Sequence, residues 1–210
     1  AMGTIILDKK YGQYKDFAVA PMNRAAITAG YAVSGFIISV IMTLITFILA
    51  EIYIVIYGGE LLPLKAVLKV LGLILFNTAF SSIMMFYLVS WFRSVGAYSA
   101  ACNVVGTLIG FLTGIYIPIG NLPEAVQTVI KVFPPSHMAV LFRRIMMERA
   151  ESITFAGAPA EMLEKFRLEM GIVFKFGDTI LSPGVSLLYV LFFLALFLIL
   201  SLFRFAKKAA

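Results

Sequence analysis

Four stretches of this chain are apolar for about as long as a lipid bilayer is thick. The first runs from about Tyr31 to Tyr57 with one charge, Glu51, towards its far end. The second runs from about Ala66 to Trp91 with Lys69 at its start, and the third from about Val95 to Pro118 with no charge. The last, about Gly184 to Phe203, is a Leu/Phe run that stops at Arg204. A helix needs about 20 mostly apolar residues to cross the hydrocarbon layer. None of the four alternates in polarity as a barrel strand does. The pattern predicts an all-α polytopic membrane protein with spans at 31–57, 66–91, 95–118 and 184–203.

The remaining segments are mixed. Residues 1–30 have no uninterrupted apolar core with a small-residue cleavage site, so they do not read as a secretory signal. Within them Tyr14, Phe17 and Ala18 share a helix face, and Pro21 breaks that helix and starts another. This predicts a short amphipathic helix on the membrane surface. Between 119 and 149, Pro118, Pro123, Pro134 and Pro135 cut the chain into pieces too short to span, which predicts a re-entrant or interfacial hairpin with Ser136 capping its second piece. Residues 150–183 predict a small cap. It contains a helix that Pro159 opens and Gly171 stops, then a strand-like alternation through Ile172, Phe174 and Phe176. Residues 204–210 form a basic tail.

Composition sharpens this picture. The 210 residues are 61% hydrophobic and 13% charged, too apolar for a water-soluble domain. With 17 Lys and Arg against 11 Asp and Glu, the formal net charge is +6. Four spans put both ends of the chain on one side. That side holds Lys9, Lys10, Lys15, Arg24, Arg93, Arg204, Lys207 and Lys208 against Asp8 and Asp16, which is the whole net charge of +6. Positive flanks mark the cytoplasmic face, so the excess reads as topology and not as a nucleic-acid site. The segment 119–183 is then external.

Candidate chemistry is sparse. Cys102 is the single cysteine, which excludes an internal disulfide. No phosphate-binding loop, zinc-protease motif or nucleophile elbow occurs, so the chain reads as non-enzymatic and metal-free. Gly106, Gly110 and Gly114 recur every four residues in the third span, a small-residue face suited to close helix packing. Ser99 and Asn103 extend that stripe, with Asn77 as a candidate hydrogen-bonding partner. His137, the only histidine, reads as a hydrogen-bonded structural residue or, with Glu51, as a route for ion coupling.

Three stretches together resemble the membrane subunit of ABC-2 type transporters, the permeases of bacterial exporters. They are KDFAVAPMNRAAITAGY (Lys15–Tyr31), GFLTGIYIPIGNLPEAVQTVIKVFPPSHMAVLFR (Gly110–Arg143) and the terminal RFAKK. The resemblance implies a bacterial inner-membrane protein that works as a homodimer or heterodimer in lipid, with a separate cytoplasmic ATPase that binds ATP and magnesium. This chain would bind no cofactor itself. It places Tyr14, Lys15, Asp16, Phe17, Pro21 and Arg24 at the ATPase-coupling surface. Pro118, Pro123, Pro134, Pro135, His137 and Arg143 fall in a re-entrant hairpin that gates the outer end of the path. The cargo would be an amphiphile such as a drug, antibiotic or lipid. The family usually has six spans and this chain has four, so its first two helices are expected to be missing. Two other readings stay open: a membrane binding or immunity-type protein with no transport cycle, and an ion-coupled carrier.

Overall fold

A computed structural model describes residues 7–8, 11–12, 24–92, 94–177 and 179–209. Among these residues the chain forms seven α-helices and one two-stranded ribbon. The helices are α1 (Arg24–Ile56), α2 (Leu64–Val89), α3 (Val95–Leu112), α4 (Glu124–Val132), α5 (Pro134–Thr154), α6 (Ala160–Glu169) and α7 (Pro183–Ala209). Four of them contain stretches long and apolar enough to cross a membrane: Ala29–Ile56, Leu64–Leu88, Val95–Leu112 and Pro183–Phe203. The protein is an all-α multi-pass membrane protein.

The chain divides into two compact units. One comprises Ala1–Tyr57, Ile74–Val104 and Leu194–Ala210, the other Gly58–Leu73 and Val105–Phe193. In the first unit α1 is mostly apolar, and one face of it exposes Val33, Ile37, Ile41, Ile45 and Leu49, as a lipid-facing surface requires. Its hydroxyls stay local: Ser39, Thr43 and Thr46 each donate to the carbonyl four residues earlier, at 2.8, 2.8 and 2.9 Å. Gly58, with φ +84°, supplies the left-handed backbone that ends α1, and Pro63 immediately precedes α2. Phe80, fully buried, packs its ring 6.3 Å from that of Phe197 in α7.

The second unit has its own apolar core of Ile119, Ile130, Val140 and Phe174, with Leu112, Leu122 and Leu181 against it. Prolines define its pieces. Pro118 precedes a 3-10 turn (Ile119–Asn121), Pro123 precedes α4, Pro134 is the first residue of α5 and Pro159 precedes α6. A ring that fixes φ and lacks an N–H suits these places, because the first helical N–H groups have no intrahelical acceptor. The ribbon pairs β1 (Lys175–Phe176) antiparallel with β2 (Thr179–Ile180).

Four details differ from the sequence reading. The third span's helix ends at Leu112 and not at Pro118, so it is 18 residues long, about 27 Å at 1.5 Å per residue. The helix that begins at Pro134 continues to Thr154, past residue 149, the expected end of the hairpin. Ser136 lies inside α5, whose N-cap is Phe133 and has no side-chain cap. Of the strand-like stretch only Lys175 and Phe176 pair, while Ile172, Val173 and Phe174 are buried in irregular backbone.

Candidate functional site: the hairpin between the third and fourth spans

An α-helix ends with four carbonyls that have no intrahelical partner, and in a membrane protein water cannot be relied on to satisfy them. The second unit solves this at α3 and α4 with side chains from other elements.

At the end of α3, Thr113 N–H donates to Ile109 O, Ile115 N–H to Gly110 O and Gly114 N–H to Phe111 O, at 2.9 to 3.0 Å. The pair of bonds spanning five and three residues is a Schellman closure, and it requires the left-handed residue that Gly114 supplies at φ +70°. The fourth carbonyl, Leu112 O, accepts from the Ser136 hydroxyl at 2.7 Å. Ser136 is fully buried, so the serine in the Pro-Pro-Ser-His run ties α5 to the end of α3.

At the end of α4, Phe133 N–H is shared between Val129 O and Ile130 O. Lys131 O accepts from His137 Nε2–H at 2.8 Å, and Val132 O accepts from the Tyr189 hydroxyl of α7 at 2.6 Å. A carbonyl can only accept, so Nε2 carries the imidazole proton. Nδ1 is then the acceptor for the Ser186 hydroxyl, 3.2 Å away. The His137 ring lies against Tyr189, with centroids 4.4 Å apart, and edge-on to Phe174 at 5.3 Å. Burial favours the neutral ring, so the His137 pKa is lowered from its ordinary 6.5 despite the backbone hydrogen bond.

Arg143, two turns along α5, donates from Nη2 to Gly114 O at 2.8 Å. Its Nη1 is buried and has no hydrogen-bond partner among the described residues, and desolvation lowers its pKa. A second Schellman closure ends α6 beside it. Gly171 at φ +65° donates to Leu168 O, and Ile172 N–H to Arg167 O. Both closing glycines abut Ile119: a Cβ at Gly114 would lie 2.6 Å from Ile119 Cγ1, and one at Gly171 2.5 Å from Ile119 Cδ1. The body of α6 is anchored to α5. Arg167 Nε and Nη2 donate to Glu151 Oε2 of α5 at 2.9 and 2.6 Å, and Glu151 is buried. Arg149 pairs with Glu60 of the connection before α2.

Beside this core lies a cavity of about 340 Å³ whose polar lining includes Gln127, Lys131, Lys165, Glu169 and Lys175. Lys131 Nζ sits 5.7 Å above the Phe176 ring.

The sequence-derived residues fall as follows. Pro118, Pro123, Pro134, Pro135, His137 and Arg143 all lie in the second unit, around the ends of α3 and α4. Among the described residues of this chain the three glycines do not form one packing face. A Cβ at Gly106 would meet nothing within 4 Å, Gly110 lies under the ring of Tyr116, and Gly114 is past the helix as its terminator. A four-residue spacing defines a face only while the helix lasts. Asn77 lines a cavity together with residues of α1. Tyr14, Lys15, Asp16, Phe17 and Pro21 lie outside the described residues, and Arg24 is the first residue of α1, with only its backbone described. Sequence reading missed Tyr189, Ser186 and Ile119. Tyr189 offered one signal, a hydroxyl-bearing aromatic about one and a half turns into an otherwise Leu/Phe span.

The family model described as ABC-2 type transporter matches residues 1–147. No curated protein and no solved structure matches the chain.

Proposed function

Since this chain belongs to the ABC-2 type transporter family, we propose that it is a permease subunit of an exporter, paired with a second permease chain and driven by a separate cytoplasmic ABC ATPase. The observation that carries this reading is the family match over residues 1–147, which takes in three of the four candidate spans. ATP and magnesium belong to the partner, and the cargo is an amphiphile such as a drug, antibiotic or lipid.

In this reading both ends of the chain face the cytoplasm of a bacterial cell, and the hairpin and cap face outward. The segment containing Tyr14, Lys15, Asp16, Phe17, Pro21 and Arg24 receives the ATPase. It leads directly into α1, a 33-residue helix that can pass a push along its axis. The hairpin acts as the outer gate. Its α5 is tied to the end of α3 through Ser136 and Arg143, and to the end of α4 through His137. Displacement of α3 therefore has to be met by movement of α5. The salt bridge between Arg167 and Glu151 makes the cap follow α5.

The test is co-purification of the permease with its proposed ABC ATPase, the two expressed together. Phe17→Asp and Arg24→Glu are each expected to lower recovery of the ATPase at least tenfold while the permease itself stays folded. Undiminished association in both variants sinks the coupling assignment. Reporter fusions at the C-terminus and within 151–178 test the orientation, and an external C-terminus overturns it.

A further inference from the structure

Halfway along the first two spans, both helices turn polar at the same level. Ser39 and Thr43 of α1, with Asn77, Thr78, Ser81, Ser82 and Met85 of α2, line a cavity of about 180 Å³. The midpoint of Ala29–Ile56 falls between Met42 and Thr43, and that of Leu64–Leu88 at Phe76. Thr43 and Asn77 each lie within a residue of these midpoints, and Ser81, Ser82 and Met85 carry the lining on towards the end of α2. Polar side chains at that depth in an apolar span are costly and often functional.

The ordinary use of such residues is to join helices by hydrogen bonds across the interface. That is not their use here. The Ser39 and Thr43 hydroxyls donate back into their own helix, to Gly35 O and Ser39 O. Among the described residues no side-chain hydrogen bond joins α1 to α2 at this level, and between the two helices lies a half-open cavity where a sealed interface would leave none. An amide transferred from water to an apolar medium without a partner costs about 2–7 kcal/mol. The lining therefore favours a polar guest. Its volume is many times the roughly 10–15 Å³ that a single water needs on the same measure, so a group larger than one water fits. A helix about 10 Å across does not fit. No Asp, Glu, Lys, Arg or His lines the cavity, so the guest is uncharged.

We propose that this midplane cavity binds the hydroxyl or amide group of an uncharged, bilayer-soluble amphiphile. The Asn77 carboxamide supplies both a donor and an acceptor, and the Ser81 and Ser82 hydroxyls are the further partners. Met85, flexible and polarizable, receives the start of the apolar body. The guest enters from lipid and not from water, because the surrounding faces of α1 expose Ile38, Ile41, Met42 and Ile45. This binding belongs to the helix pair itself and requires neither an ATPase nor transport.

Photolabelling of the full chain in lipid nanodiscs tests it, using 3-azioctanol and the matching octane diazirine that lacks the hydroxyl. At equal membrane concentration the alcohol is expected to label peptides containing Ser39–Thr43 and Asn77–Met85 at least fivefold more than the alkane. Asn77→Leu combined with Ser81→Ala brings the alcohol down to the alkane level, with helicity and elution profile unchanged. Asn77→Gln, which keeps the amide, restores at least half of the labelling. Equal labelling by the two probes, or labelling indifferent to the Asn77→Leu/Ser81→Ala variant, overturns the proposal. So does labelling that disappears only when a second copy of the chain is cross-linked against the site. None of these outcomes depends on whether the permease reading holds.

Discussion

Ser136 and Ser39 are the same residue type in helices of one protein, yet their hydroxyls do different work. Ser136 reaches out of α5 to the last carbonyl of α3, while Ser39 bends back to Gly35 in its own helix. The contrast extends to their surroundings. In the second unit, the final carbonyls of α3 and α4 are satisfied by Ser136, His137 and Tyr189 from other elements. In α1 the hydroxyls satisfy only themselves, on carbonyls that already have an intrahelical N–H. A bond that meets an orphaned group fixes one element to another, whereas a bond added to a satisfied group fixes nothing. Substitutions at the two kinds of site should therefore separate cleanly.

The largest effect is expected where the two Schellman glycines meet Ile119. Gly114→Ala forces a left-handed backbone and a Cβ contact of 2.6 Å, and Gly171→Ala the same with 2.5 Å. A non-glycine residue in that backbone region costs about 1–3 kcal/mol and overpacking about 1–3 more, so each variant loses roughly 3 kcal/mol. Gly106→Ala is the matched control, because its Cβ enters open space in a regular helix. It is expected to be neutral or slightly stabilising. Thermal unfolding in detergent compares the three. If Gly106→Ala proves as damaging as Gly114→Ala, the helix-packing stripe is the correct view of these glycines and the terminator is not.

His137 comes next. His137→Leu leaves Lys131 O without its donor, a loss of about 1–3 kcal/mol for a buried group. The wild type also has a signature in pH. Burial lowers the folded-state pKa below the ordinary 6.5, so the unfolded chain takes up a proton that the folded one refuses. Stability is accordingly full above about pH 6.5 and falls as pH drops below it, until the lowered folded-state value is passed. His137 is the only histidine, so this slope of melting temperature against pH is expected to vanish in His137→Leu. A slope that persists in the variant assigns the effect to other groups.

These sites also mark how far the sequence could be read. The spans were legible because bilayer thickness imposes a length, and the hairpin because four prolines punctuate it. Gly171 was legible as a helix stop, since it follows a short helical stretch that Pro159 opens. Gly114 was not, because its spacing from Gly106 and Gly110 imitates a packing face, and nothing local says that the helix has closed at Leu112. Ser136 after two prolines looks like an N-cap. Its true acceptor is 24 residues earlier, a pairing that only tertiary structure creates. The midplane cavity was hidden for a related reason. Hydroxyls in apolar spans usually bond their own backbone, as Ser39 and Thr43 do, so their alignment with Asn77 across two helices leaves no trace in either one.

The smallest effects sharpen the comparison most, because they set its zero. Ser136→Ala removes the one side-chain donor to Leu112 O among the described residues, and a partly buried carbonyl left unpaired costs about 1–2 kcal/mol. Thr46→Val removes a hydroxyl that donates to Met42 O at 2.9 Å from an exposed position on α1. Met42 O keeps the N–H bond of its own helix, so the loss is expected to stay within about 0.5 kcal/mol. Valine is also nearly isosteric with threonine, so no cavity or overlap confuses the reading. Unfolding of both variants in one detergent measures the difference directly. A gap of at least about 0.5 kcal/mol between them supports the distinction between orphaned and satisfied carbonyls. Equal losses would mean that the detergent itself satisfies the end of α3, and that Ser136 holds α5 in place by packing alone.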